Sequence, residues 1–547
     1  MEFLAHLWEP IYDHLYDYIG AYMFLALALM LFTGMPVAFA LGGVATLFGL
    51  WSIYLEFIDW PVFFAVAQRV WGGDGGSGAV HNPILVAIPC FVFMGTMLER
   101  SRVAEDLLHI LQIMMRRIPG GLALAVTLMG TIMAATTGII GASVVMMTLL
   151  ALPTMLSRGY SPALATGTIA ASATLGILIP PSIMLVLMAN LLAVSVGNLF
   201  IGAILPGLTL SGLYFLYIMV FATVRPSAAP AMSLDEIDLR PTNPANTILF
   251  LAIFVGAIVI AWLGVTFGPG EQEDTLLADI NWPLLAFMTI FGAAMWIGKK
   301  EGDTLLGGIL KGFVPPIFLI VMVLGSIFAG WATPTEAAGV GAFGAMLLAW
   351  INGTLTKEVL TSVVHRTALT TAMIFFIFVG ATAFSTIFRN VYGEDLIVEL
   401  IEWMDLAPWP LLFVLMGTIF LMGFFFDFLE ITLIILPVFA PVIKLLAVNF
   451  APHLGLEVPA NQAQTEFVQA QVIYWFAILV AVNLQTSFLT PPFGFALFYM
   501  KGVAPSSVKI QEIYAGIIPF VILQLIGLAL VIEFPGLALW LPSLVFE

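Results

Sequence analysis

Thr174-Leu175-Gly176-Ile177-Leu178-Ile179-Pro180-Pro181-Ser182 and Leu489-Thr490-Pro491-Pro492-Phe493-Gly494 each place a proline pair inside an apolar stretch long enough to cross a bilayer. Proline has no backbone N–H to donate, and its ring clashes with the preceding turn, so each pair must interrupt its helix. In hydrocarbon, interrupted backbone persists only where protein buries it or where it lines a polar cavity.

The rest of the chain fits that environment. Of 547 residues, 61% are hydrophobic and 9% charged, and the mean hydropathy is +1.08. So few charges cannot cover the surface of a soluble fold this long. The apolar runs are continuous rather than alternating, which favours helices over a closed barrel. The expected class is an all-α polytopic membrane protein. The net charge of −16 says little about substrate, because most acids fall in predicted loops. Cys90 is the single cysteine, which excludes an intramolecular disulfide and a cysteine-rich metal site, and its apolar setting predicts a packing role. The stretch before Arg69 has no Lys or Arg, so the basic region of a cleavable signal peptide is missing. No phosphate loop, dinucleotide fingerprint or zinc-protease motif is present, and the six histidines lack ligand spacing. Neither an enzyme, nor a resident cofactor, nor a nucleic-acid partner is expected.

Apolar spans fall near 21–33, 36–54, 84–98, 162–198, 202–224, 245–266, 283–298, 313–330, 335–352, 368–387, 471–500 and 512–534. Segments 119–157 and 408–447 are too long for one crossing and are interrupted midway. They read as re-entrant hairpins that enter and leave by one face. With both termini outside, in the periplasm, this layout puts 14 of the 17 basic residues in the cytoplasm; only Arg69, Arg389 and Lys444 fall elsewhere. Residues 103–111 and 396–403 read as amphipathic surface helices, either bracing a moving part or serving as solvated connectors.

The two halves echo one another. Leu128-Met129-Gly130-Thr131-Ile132 recurs as Leu415-Met416-Gly417-Thr418-Ile419, and Gly34-Met35-Pro36 at the first inter-helix turn parallels Gly330-Trp331-Ala332-Thr333-Pro334. Each half runs as helix pair, single span, surface helix, hairpin, broken span and closing span, the first beginning outside and the second inside. Scaffold spans and surface helix then occupy 1–118 and 312–407, hairpin and broken helix 119–224 and 408–547, and linker spans 225–311. Inverted repeats with paired broken helices point to the midplane binding site of a secondary transporter.

That site has visible candidates. The first hairpin turns through Thr136-Thr137-Gly138-Ile139-Ile140-Gly141-Ala142-Ser143, whose small residues allow a sharp turn and expose carbonyls and hydroxyls to a small hard cation or amides to an anion. The second contains Asp427 and Glu430, the only acids of a long apolar run, which can bind a cation, carry a proton or cap a half-helix. Gln485, Thr486, Ser487 and Thr490 complete a polar cluster at the second break. Substrate contact is expected at Ser182, Gln485, Ser487 and Gly494. No basic residue falls in the predicted cavity. Thr333-Pro334-Thr335-Glu336 reads as a capped structural turn.

Four stretches, Gly34-Met35-Pro36-Val37-Ala38-Phe39-Ala40-Leu41-Gly42, Gly176-Ile177-Leu178-Ile179-Pro180-Pro181-Ser182, Ala332-Thr333-Pro334-Thr335-Glu336-Ala337-Ala338 and Leu489-Thr490-Pro491-Pro492-Phe493-Gly494, together resemble the large membrane subunit of tripartite ATP-independent periplasmic (TRAP) transporters. The resemblance implies sodium-coupled, elevator-type uptake of an organic acid across the bacterial inner membrane. It implies three partners: a small four-helix membrane subunit, a periplasmic substrate-binding protein and the surrounding lipid. It also implies sodium ligands at Thr137, Gly138, Ser143, Thr174 and Gly176 in one half, and at Gly423, Asp427, Thr490 and Pro491 in the other. Residues 69–77 and 450–470 look like insertions against the family pattern. The alternative is a stand-alone sodium/dicarboxylate-type symporter of the same superfamily.

Overall fold

The computed structural model describes the whole chain except residues 1, 73–77, 138–139, 232–239, 268–280, 303, 459–460, 492–493 and 547. Its first half opens with α1 (Glu2–Phe32), α2 (Val37–Tyr54), α3 (Trp60–Trp71), α4 (Ala87–Arg100) and α5 (Val103–Met115). A hairpin of α6 (Gly121–Thr137) and α7 (Ile140–Ser157) follows, then a broken helix, α8 (Pro162–Thr174) and α9 (Ile183–Leu192), and α10 (Val196–Val224). The linker holds α11 (Pro244–Phe267), α12 (Trp282–Glu301) and the single turn α13 (Leu305–Gly308). The second half runs through α14 (Val314–Phe328), α15 (Pro334–Ile351), α16 (Lys357–Asn390) and α17 (Gly393–Met404). Its hairpin is α18 (Pro408–Met422) with α19 (Phe428–Leu445), trailed by the short α20 (Ala447–Phe450). Its broken helix is α21 (Gln462–Ser487) with α22 (Phe495–Val503), and α23 (Ile510–Glu533) and α24 (Gly536–Phe546) finish the chain.

Thirteen of these helical segments are long and apolar enough to span a membrane. The first arms of both hairpins are not among them. At about 1.5 Å per residue, α6 and α18 reach roughly 25 and 22 Å, short of a hydrocarbon core of about 30 Å. Each hairpin also returns to its own entry point. At the base of the first, the Leu122 amide donates to the Tyr160 hydroxyl at 3.2 Å. At the base of the second, the ring of Trp409 packs on His453 at 4.7 Å and on Phe450 at 5.4 Å.

The inverted repeat is written into the packing. α2 corresponds to α15 and α4 to α16, and α2 packs on α16 while α4 packs on α15. Glycine makes both approaches possible. A Cβ on Gly380 would lie 2.8 Å from the Ala38 carbonyl oxygen, and one on Gly341 would lie 2.6 Å from the Met94 sulfur. Two side chains pin α15 to the segment around α4: Thr335 donates to the Pro83 carbonyl at 2.9 Å and Asn352 to the Ser101 carbonyl at 3.1 Å. The same exchange recurs among the hairpins, where α7 packs on α22 and α19 on α9. Between the broken and closing helices, α8 packs on α23 and α21 on α10. Gly167 and Gly516 let α8 and α23 touch backbone to backbone.

Thr333 caps α15 as the sequence suggests: its hydroxyl accepts from the Glu336 amide at 3.3 Å, and the Glu336 carboxylate accepts from the Thr333 amide at 2.7 Å. Cys90 is a free, half-buried thiol. Other features differ from the sequence reading. α1 begins well before residue 21, and α16 extends about ten residues beyond the span expected there. The expected insertion near 69–77 begins inside α3, which lies on α16 and runs to Trp71; residues 73–77 fall outside the described residues. α24 lies beyond the last expected span and packs on α10, where Gly202 admits the Ala538 carbonyl. α5 is no solvated connector, because Leu107, Leu108 and Leu111 are buried against α6 and the π-helical turn Ile309–Phe313.

Candidate functional site

Both expected breaks are real. α8 ends at Thr174, tightens through a 3-10 turn at Leu175–Ile177, and resumes as α9 after the Pro180-Pro181 pair. Every residue from Thr174 to Ser182 is buried. α21 stops at Ser487, and α22 restarts after Gly494. A Cβ on Gly494 would sit 2.8 Å from the Phe488 carbonyl oxygen and 3.1 Å from that of Thr490, so only glycine fits there.

The hydroxyls at the breaks share one arrangement. Thr174 donates to the Ala171 carbonyl at 2.9 Å and Ser182 to that of Ile177 at 2.5 Å. Ser487 donates to the Leu484 carbonyl at 2.6 Å and Thr490 to that of Thr486 at 2.9 Å. A hydroxyl has one hydrogen to give, so each oxygen keeps its lone pairs for an electron-poor ligand. Gln485 is fully buried, and neither atom of its side-chain amide has a hydrogen-bond partner.

In both repeats the hairpin meets the broken helix at a close glycine–serine approach. A Cβ on Gly130 of α6 would lie 2.6 Å from the Ser172 Cβ of α8, and one on Gly423, capping α18, would lie 2.5 Å from the Ser487 Cβ of α21. In each repeat a glycine of the first hairpin arm accepts a serine of the broken helix. The carboxylates of the second hairpin form a capping box. The Phe428 amide donates to Asp427 Oδ1 at 2.8 Å, and the Asp427 amide donates to Glu430 Oε2 at 3.1 Å. Of the three roles open to this pair in the sequence, the geometry displays capping, with the negative charge at the positive end of the α19 dipole.

These elements converge on a cavity of about 720 Å³. α7 contributes Gly141 and Val145, α9 contributes Ile183, and the second repeat contributes Asp427, Phe428, Glu430, Phe488, Phe495 and Tyr499. The opposite wall is scaffold, with Glu99 and Arg100 of α4 facing Arg366 and Met373 of α16. Arg366 lies 3.4 Å from the Glu99 carboxylate. This corrects the expectation that the cavity holds no basic residue. Its only sequence signal was that α16 could extend toward its N-terminus beyond the apolar core of the span. Asn82 and Asn190 hydrogen-bond through their side chains, joining the scaffold to α9.

Of the expected site residues, Asp427 lines the cavity, while Ser143 lies buried on α7 beside it. Thr174, Gly176 and Ser182 are buried in the first break; Gln485, Ser487 and Thr490 are buried around the second. Gly423 and Gly494 serve close backbone approach, and Pro491 sits on an exposed turn. Thr137 ends α6, and Gly138 lies outside the described residues. Among the described residues, no three His, Cys, Asp or Glu side chains gather into a metal site.

Residues 24–537 match the family described as "Tripartite ATP-independent periplasmic transporter, DctM component". The chain is 27% identical to a C4-dicarboxylate TRAP transporter large permease protein of Vibrio cholerae, over 96% of this chain and 97% of that protein. It is 25% identical to an ectoine TRAP transporter large permease protein of Halomonas elongata, over 85% and 87% respectively. In fold it is similar to the solved YdaH transporter of Alcanivorax borkumensis, with a TM-score of 0.51 at 15% identity, covering 89% of this chain and 91% of that one.

Proposed function

The chain belongs to the TRAP transporter family as a DctM component, and from that membership we propose that it is the permease subunit for sodium-coupled uptake of an organic acid. The observation that carries this reading is the single cavity touched by both hairpins and both broken helices and walled on its far side by the scaffold. Hairpins and broken helices form the moving part in this reading, and α1, α2, α4 and α14 to α17 form the fixed part. Sodium is held by break hydroxyls and carbonyls around Ser143, Thr174, Gly176, Gly423, Asp427 and Thr490, and the organic anion occupies the cavity. Because Arg100 and Arg366 flank the cavity and basic residues favour the cytoplasmic side, the cavity faces the cytoplasm in this state. Inward movement of one net positive charge gains about 2.3 kcal/mol per 100 mV, enough to drive accumulation. A periplasmic binding protein delivers the cargo, a small membrane subunit completes the assembly, and the location is the bacterial inner membrane.

Reconstitution tests this. The chain, its small membrane subunit and the cargo-loaded binding protein are placed in and around liposomes, and uptake is followed with and without an inward sodium gradient. Uptake should require both the gradient and the binding protein. Equal uptake without sodium overturns the coupling, and equal uptake of free cargo by this chain alone favours the stand-alone symporter.

A further inference from the structure

The cavity is built for more than a charge. Three phenylalanines and a tyrosine, Phe428, Phe488, Phe495 and Tyr499, line its mobile wall. Phe428 and Phe488 pack with ring centroids 5.3 Å apart. Tyr499 covers Gly141, since a Cβ there would lie 2.8 Å from the ring. The aromatic wall therefore continues across the repeat boundary onto α7. A volume of about 720 Å³ falls in the range of pockets that enclose ring-bearing molecules.

Four carboxylates, Glu99, Glu105, Asp427 and Glu430, line it against two guanidiniums, Arg100 and Arg366. Glu99 engages Arg366, and Asp427 and Glu430 are engaged by amides at the start of α19. Glu105 also lines the cavity, opposite in sign to Arg100. One carboxylate can compete with Glu99 for the Arg366 guanidinium, which is about two-fifths exposed. A second carboxylate on the same ligand would meet the uncompensated oxygens of Glu105, Asp427 and Glu430.

Resting on the transporter reading, we propose that this cavity selects an organic monoanion with a ring-sized apolar body. Its carboxylate takes Arg366, and its body lies on Phe428, Phe495 and Tyr499, with the buried Phe488 supporting that wall from behind. Arg366 is then a specificity-determining residue, held ready by Glu99 while the cavity has no anion.

The test is a binding measurement on the purified chain in detergent. Thermal unfolding is followed against phenylacetate, succinate, acetate and neutral phenylacetamide, since a ligand that binds only the folded state raises the midpoint. Phenylacetate should raise it at concentrations at least about tenfold below those needed for the other three, the expected worth of one charge-assisted contact plus one aromatic face. Glu99→Gln/Arg366→Gln, which replaces the ion pair with two amides and so protects the fold, should abolish the preference for phenylacetate over phenylacetamide. Phe495→Leu/Tyr499→Leu should weaken phenylacetate about tenfold while leaving acetate unchanged. A succinate response equal to or stronger than that of phenylacetate overturns the proposal. So does the absence of any response, or a paired-amide variant that still prefers the anion. Sodium-driven uptake of a delivered cargo would stand apart from all three results, so the two readings fail separately.

Discussion

Gly20 of α1 and Gly393 of α17 meet backbone to backbone: a Cβ on Gly20 would lie 2.8 Å from the Gly393 Cα. The pseudo-equivalent contact joins the turn before α14 to α5, where a Cβ on Gly312 would lie 2.7 Å from the Asp106 carbonyl oxygen. Each surface helix is thus clamped by the opposite repeat. Gly20→Val and Gly312→Val should each lower stability by about 1–3 kcal/mol, the usual cost of overpacking. Gly339→Ala, on α15 with open space at that position, should be neutral or stabilising. Thermal unfolding in detergent distinguishes these outcomes.

Ser487 presses on Gly423 closely enough that one added methyl must move the hairpin tip. Gly423→Ala should therefore reduce sodium-dependent uptake severely while the protein still folds. Gly423→Ala/Ser487→Gly should recover part of it, because the second change vacates the space the first one fills. Uptake in reconstituted liposomes reads both, and strict additivity would refute the coupling.

Asp427 caps α19, and asparagine caps about as well as aspartate. Asp427→Asn should match the parent in thermal stability, whereas Asp427→Ala should lose about 1 kcal/mol. Glu430→Gln should keep its half of the capping box. If Asp427→Asn folds normally yet loses sodium-dependent uptake, the carboxylate charge acts beyond the cap.

Asn82 and Asn190 bridge the scaffold and a broken helix. A hydrogen bond worth about 0.5–1.5 kcal/mol shifts a two-state balance by up to roughly tenfold. Asn82→Ala/Asn190→Ala should move the population away from the described state. A Val145→Cys reporter on the cavity wall, placed in a Cys90→Ala background, should then label more slowly with a thiol reagent. Unchanged labelling would exclude a holding role.

The proline pairs made both breaks readable, because no neighbouring residue can restore a missing N–H. The hairpins were readable from excess length and charge sorting, and the Thr333 cap from its Glu three residues on. Helix phase was not. The Leu-Met-Gly-Thr-Ile echo pairs Gly130 with Gly417, yet Gly417 faces open space, and the close approach to a serine of the broken helix is made by Gly423 at the end of α18. A six-residue difference within an apolar helix leaves no trace in composition. Arg366 falls just outside the apolar stretch 368–387, because hydropathy marks where a span is apolar, not where its helix ends. Only the full length of α16 brings that guanidinium to the cavity. The capping box of Asp427 and Glu430 was not legible either, since spacing alone fits a cap and a cation site equally.

The crossed pairing of α2 with α16 and of α4 with α15 has a consequence for biogenesis. Neither half carries its own mate, so the newly made first half enters the bilayer with two helix faces shaped for segments that the ribosome has not yet produced. Those faces must be sheltered by lipid or an insertase until roughly residue 390 emerges, and a chain truncated before that point has no closed structure to reach. Splitting the coding sequence in the linker should give two fragments that are unstable apart and stable together.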